Sequence, residues 1–246
     1  FGANNVNGTP KGHVLVHVYA TQNKDLATIK DKKVITSDEP TASDFDVTGV
    51  FGGGNNADYV PAETDTKQST EVIIEGCDLT SIYEVYGGGY GAASPGTNVL
   101  IKGTKIIDNV FGGGYGAGTN NPGANVGYRT GGTTAYGLGN EQTKTAIVQL
   151  MAGHVNNVYG GSNTKGDIRG GSSITNVTKQ GSRPECCDDL DVGKVYGGGK
   201  DAEMKGGAEI VLGCMPDDWI EEIYAGAENA DVGSDVSLTI TSGKFG

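Results

Sequence analysis

The side chains best suited to catalysis in this sequence are charged groups that lie close together beside predicted strands. Two such groups are Asp44 with Asp46, and Asp167 with Arg169. Glycan-cleaving enzymes use paired carboxylates, or a base beside a carboxylate, for their acid and base steps. Neither group recurs in a neighbouring repeat of the chain. The sequence therefore predicts no catalytic residue.

Histidines are the next candidates, either as metal ligands or as proton carriers. His13 and His17 occupy one face of a predicted strand, and His154 lies far along the chain. A metal-ligating histidine usually has a carboxylate or carbonyl beside its second nitrogen, and the local sequence offers no acidic partner to the first two. We therefore expect no metal site and no cofactor.

Two kinds of segment could bind a cation. The glycine-rich stretches 88–93 and 113–118 nearly match a calcium-binding nonapeptide, but both lack its aspartate and neither continues with a nine-residue period. Acidic residues also cluster at 187–191 and at Asp217 and Asp218. Hard cations need several oxygens held together, so we interpret these acidic runs as solvated loops.

The elements that would have to position any such site form an internal repeat. One phrase consists of an aliphatic residue, two variable positions, Val or Ile, an aromatic residue, and then small residues that are mostly glycine. Its six copies place their aromatic residues at Phe51, Tyr86, Phe111, Tyr159, Tyr196 and Tyr224. A short alternating run of β-branched residues precedes each copy, which is typical of a strand.

The repeat predicts an all-β fold. The closest two copies, at Tyr86 and Phe111, are 25 residues apart, too short for a propeller blade of about 40–45 residues. Glycine triplets exclude a helical repeat. We predict one domain over residues 1–246: a single-stranded right-handed parallel β-helix (β-solenoid) of about six to seven coils with loop insertions. Both ends fall inside a repeat, so we interpret the chain as a fragment of a longer protein.

Stacked coils would place the six aromatic residues one above another, about 4.8 Å apart. Two interpretations of this column remain open. A buried ladder would stabilise neighbouring coils, whereas an exposed ladder could bind a ligand by stacking on sugar rings. Recognition could also fall on the insertions, which are residues 21–44, 55–69, 115–143, 180–190 and 214–218.

The four cysteines are too few to form a disulfide framework. Cys186, Cys187 and Cys214 fall at the same corner of adjacent coils, and one coil spacing suits a disulfide. Cys77 lies about four coils from Cys214, roughly 19 Å away and too far to pair with it. We hypothesise a disulfide between Cys214 and Cys186 or Cys187; the alternative is that all four cysteines are reduced or buried singly.

The Val-Tyr-Gly-Gly-Gly and Val-Phe-Gly-Gly-Gly phrases at 85–89 and 110–114 resemble those of glycine-rich, adhesin-like surface proteins of gut Bacteroidetes. The resemblance covers most of the chain but rests on scaffold residues. It implies a secreted or surface-exposed, outer-membrane-associated β-helix with a structural or adhesive role, and it carries over no catalytic residue. The alternatives are a carbohydrate-binding module and a β-helical polysaccharide lyase or glycoside hydrolase.

Composition limits the partners. The net charge of −12 argues against nucleic acid, which requires a basic face. No apolar run approaches the 18 or so residues of a transmembrane helix. The expected partners are glycans or proteins of the host or cell surface, together with self-association through open coil ends.

Overall fold

The computed structural model describes residues 1–21, 40–62, 68–117, 123–129, 134–135, 144–176, 189–213 and 218–242. The strands are, in chain order, β1 (Val14–Val18), β2 (Val47–Phe51), β3 (Thr70–Ile74), β4 (Ser81–Tyr86), β5 (Thr97–Ile101), β6 (Ile106–Phe111), β7 (Tyr128–Arg129), β8 (Thr134–Ala135), β9 (Ala146–Leu150), β10 (Gly153–Tyr159), β11 (Ser172–Asn176), β12 (Leu190–Tyr196), β13 (Ala208–Gly213), β14 (Trp219–Tyr224) and β15 (Val236–Ser242). In these ranges the only helical elements are two 3-10 turns, Ala42–Asp44 and Cys77–Leu79.

Two parallel sheets contain nearly all of these strands. Sheet 1 has the order β1-β3-β5-β9-β11-β13-β15, and sheet 2 has the order β2-β4-β6-β10-β12-β14. Each repeat contributes one strand to each sheet, and its neighbours in the sheet are the repeats before and after it. The short β7–β8 pair is antiparallel and lies within an insertion. The predicted all-β, parallel-strand architecture is confirmed.

The core lies between the two sheets. It consists of equivalent residues of successive repeats, which pair directly with one another. In sheet 1, Val72 pairs with Val99, which pairs with Val148. In sheet 2, Val85 pairs with Val110. These side chains are buried in one apolar cluster, so each repeat covers the apolar face of the next.

The two variable positions of the phrase have a structural explanation. In β4 and β6, pairing joins Ile82 to Ile107 and Glu84 to Asn109 but omits Tyr83. The same position is omitted in every pairing within sheet 2. This irregularity lets both Ile82 and Val85 reach the core although they are three residues apart. The aromatic residue after Val85 therefore points away from the core.

The glycines after the aromatic residue are required by close approach of backbones. At Gly112, an added Cβ would lie under 3.0 Å from the carbonyl oxygen of Gly160 in the next repeat. Gly112 lies outside the left-handed region of φ, unlike Gly76 after β3, whose φ is 119°. Glycine thus permits close stacking at the first corner. At Gly76 it permits both a left-handed backbone and the close approach of the Tyr19 carbonyl oxygen from the preceding repeat.

Sheet 1 ends in two edge strands, β1 and β15. Three alternating apolar residues of β15, namely Val236, Leu238 and Ile240, are exposed. An exposed apolar edge strand favours pairing with another chain. The predicted self-association through the ends of the sheets stays a prediction that this surface supports.

Candidate functional site

The six aromatic side chains of the repeat form one continuous stack on the outer side of sheet 2. Neighbouring ring centroids are 4.6–5.0 Å apart and their planes differ by 5–9°. Phe1 extends the stack beyond Phe51, at 4.6 Å. Five of the six are buried, and only Tyr224 is substantially exposed, at 45%. A ring between two others has both faces covered, so it has no face left for a sugar.

Loops that follow the glycine corners cover the outer edge of this stack. Asn163 donates a hydrogen bond of 2.8 Å to the hydroxyl of Tyr86, and Tyr159 donates one of 2.7 Å to Glu228. Burial raises the pKa of both tyrosines. The ladder is therefore an outer core that joins the repeats. Ligand binding by the ladder, the second of the two interpretations, stays a prediction that concerns its exposed end at Tyr224.

The loops leave an open cavity of about 570 Å³ beside the first rings of the stack. Its lining residues are Phe1, Thr48, Gly49, Phe51, Asn55, Glu84, Tyr90 and Tyr115. Two of these extend the aromatic surface: Tyr90 and Tyr115 each follow a glycine triplet and stack on each other at 4.8 Å. Tyr90 meets Phe51 edge-on at 5.8 Å. Both tyrosines are only partly buried.

Glu84 gives the cavity an ionisable group. Burial of its side chain, with a smaller contribution from the nearby charge of Asp108, raises the pKa of the carboxyl above its ordinary value. A hydrogen bond with Tyr86 partly offsets this. Aromatic surface with a carboxyl, the Asn55 amide and the Thr48 hydroxyl is suited to a ligand with one apolar face and several hydroxyl groups.

Replacing Glu84 by Gln should stabilise the chain near neutral pH. The folded-state pKa of Glu84 lies above its ordinary value of 4.5, so ionisation costs stability above that value, and the cost disappears as the pH falls and the carboxyl is protonated. Thermal melts of wild type and Glu84→Gln should show a higher melting temperature for the variant near pH 7 and no difference near pH 3.5. A variant that is less stable at pH 7, or equally shifted at both pH values, would contradict this.

The two histidines of the first repeat do have acidic partners, so that part of the sequence interpretation is wrong. His13 lies 2.9 Å from Glu71, and His17 lies 3.3 Å from Glu75. Both glutamates come from β3 or the residue after it, which the local sequence around the histidines does not reveal. Lys102 also pairs with Glu75 and lowers the pKa of that carboxyl.

The aspartates of the charged pairs considered for catalysis form structural hydrogen bonds. Asp44 accepts a hydrogen bond of 2.8 Å from the Thr41 backbone N–H and caps a 3-10 turn. Asp46 accepts one of 3.0 Å from the hydroxyl of Thr21. Asp167 accepts hydrogen bonds from the Tyr128 hydroxyl and from the backbone N–H of Lys205. None of these aspartates lines the cavity.

One group among the described residues could bind a metal ion. The ligand atoms of His154, Asp189 and Asp191 lie within 4.8 Å of one another. The sequence alone places the two aspartates in a solvated loop and indicates no partner for His154, so the expectation for these residues is corrected here. Stacking of β10 on β12 brings the three together.

Cys77 is buried after β3 and is disulfide-bonded. The other cysteines, Cys186, Cys187 and Cys214, lie outside the described residues. The hypothesised pairing of Cys214 therefore stays a prediction. The alternative in which all four cysteines are reduced or buried singly does not agree with a bonded Cys77.

No family model, curated protein or solved structure matches this chain. Over the described parts of the chain, no helix has the length and apolar character needed to cross a membrane.

Proposed function

We propose that this chain is a single-stranded right-handed parallel β-helix of an extracellular or cell-surface protein, with a structural and adhesive role and no catalytic activity. The observation that carries the proposal is the unbroken pairing of successive repeats in both sheets, accompanied by the aromatic stack. Right-handedness follows the rule for crossovers between parallel strands. A stack of this kind displays its loops at fixed positions.

The disulfide supports a location outside the cell, and the net charge limits the partners. The disulfide at Cys77 is typical of proteins that mature in an oxidising environment. The net charge of −12 favours solubility and disfavours binding to nucleic acid. The resemblance of the glycine-rich phrases to adhesin-like surface proteins agrees with both.

A carbohydrate-binding role is the second candidate, and the cavity favours it. Tyr90 and Tyr115 offer partly exposed aromatic surface, and Glu84 and Asn55 offer hydrogen-bonding groups beside it. Among the described residues, Glu84 is the one that brings a carboxyl group to the cavity, whereas glycoside hydrolases flank the scissile bond with two. The cavity therefore suits binding better than hydrolysis, and the adhesive contact would be made here.

A glycan array tests this role. Wild type should bind a subset of glycans, and Tyr90→Ala and Tyr115→Ala should each weaken that binding by roughly tenfold because each removes aromatic surface from the cavity. The control is Tyr224→Ala, which removes a ring of the stack far from the cavity. Unchanged binding in both cavity variants, with a loss in Tyr224→Ala, would move the site to the end of the stack. If no glycan on the array bound, the carbohydrate-binding role would be rejected and the structural role would remain.

A further inference from the structure

His154, Asp189 and Asp191 form a cluster on two adjacent repeats. His154 is the second residue of β10, and its register partner on β12 is Asp191. The Nδ1 atom of His154 lies 3.0 Å from a carboxylate oxygen of Asp191. Asp189 immediately precedes β12, and its backbone carbonyl accepts a hydrogen bond of 2.8 Å from the N–H of Gly153. Backbone pairing on both sides thus fixes the positions of all three residues.

The dimensions of the cluster match a coordination sphere. Zinc binds histidine nitrogen and carboxylate oxygen at about 2.0–2.2 Å, so two ligands of one ion can be at most about 4.4 Å apart. The three ligand atoms lie within 4.8 Å of one another, and small side-chain rotations would bring them onto one ion. The side chains of His154 and Asp191 are 24% and 15% exposed, which leaves access for an ion and for a water ligand.

The donor set also selects the kind of metal. One imidazole nitrogen with two carboxylates suits Zn²⁺ or Mn²⁺, whereas calcium prefers oxygen donors in larger number. The other histidine–carboxylate pairs of the chain differ from this cluster. His13 with Glu71 is a pair without a third described ligand, and Glu75 beside His17 already pairs with Lys102.

We propose that His154, Asp189 and Asp191 bind one divalent transition-metal ion, with Zn²⁺ as the best match. The ion joins β10 to β12 and fixes the chain where it enters β12, at the end of an insertion. Its role is structural, as a crosslink between two repeats. This inference does not depend on glycan binding, since the cavity lies on earlier repeats.

Calorimetric titration of the full chain with ZnCl₂, after removal of metals with a chelator and with its cysteines oxidised, tests the proposal. We expect one Zn²⁺ per chain, with weaker binding of Mn²⁺ and none of Ca²⁺ at the same concentration. Zinc should also raise the melting temperature of the chain, because it binds the folded state. His154→Gln and Asp191→Asn should each weaken zinc binding by at least about tenfold. His13→Gln is the matched control and should bind as wild type does.

Absence of zinc binding to the wild-type chain would overturn the proposal, and so would any of three further results. The first is zinc binding by His154→Gln that equals wild type, and the second is a loss of binding in His13→Gln. The third is a thiolate-to-metal charge-transfer band after substitution with Co²⁺, which would place the ion on cysteine. The melting temperatures of the metal-free variants show whether each is folded. If His154→Gln fails to fold, Asp191→Asn provides the same comparison.

Discussion

Gly112→Ala is expected to destabilise the chain by about 4 kcal/mol or more, or to prevent folding. The added Cβ would lie under 3.0 Å from the carbonyl oxygen of Gly160 and 3.3 Å from a methyl group of Val148. The backbone cannot move aside, because the Gly112 N–H donates a hydrogen bond of 2.8 Å to the backbone carbonyl of Tyr159 and Gly112 lies between stacked repeats. Urea denaturation followed by circular dichroism measures the loss.

The matched control is Gly226→Ala, a glycine of the corner that follows β14. An added Cβ there meets no atom within 4 Å. We expect a change within about 0.5 kcal/mol for this variant. Equal stability of the two variants would mean that the repeats are not stacked as closely at the glycine corner as described.

Phe111→Ala is expected to cost about 3–5 kcal/mol. Phe111 is fully buried and stacks on Tyr86 at 4.8 Å and on Tyr159 at 4.7 Å. Truncation therefore removes two ring contacts, each worth about 0.5–1.5 kcal/mol beyond buried area, and leaves a cavity inside the stack. Thermal or urea melts of the variant test this expectation.

Two further variants separate the causes of that loss. Tyr224→Ala removes a half-exposed ring with one described stacking neighbour, Tyr196, and should cost no more than about 1 kcal/mol. Phe111→Leu keeps most of the apolar volume but removes the ring, so it should fall between the two. If the free energy of unfolding of Phe111→Ala were equal to or higher than that of Tyr224→Ala, the conclusion that the buried stack stabilises neighbouring repeats would be contradicted.

Much of the fold could be predicted from the sequence, because the repeated phrase encodes it locally. Alternation in runs such as 70–74 indicates strands, and recurrence of Val85 and Tyr86 at equivalent positions indicates stacking in register. The burial of the aromatic column could not be predicted in the same way. Tyr86 points away from the core, and it is buried because residues 77 positions later in the chain, such as Asn163, fold over it.

The candidate sites were harder to predict because their residues come from different repeats. Tyr90 and Tyr115 do share a signal, since each is the fourth residue after the aromatic residue of its phrase. No such sequence signal identifies Glu71 as the partner of His13 or Asp191 as the partner of His154, because insertions of unequal length separate the members of each pair. Only the strand register shows which residues meet.

Incubation of the chain with the glycan that it binds best, with complex and products followed in one experiment, tests the central functional claim most directly. We expect saturable binding with no new reducing ends and no unsaturated products. Release of either product above the buffer control, abolished in Glu84→Gln, would contradict it, because Glu84 would then act as an acid or base in a cleavage reaction.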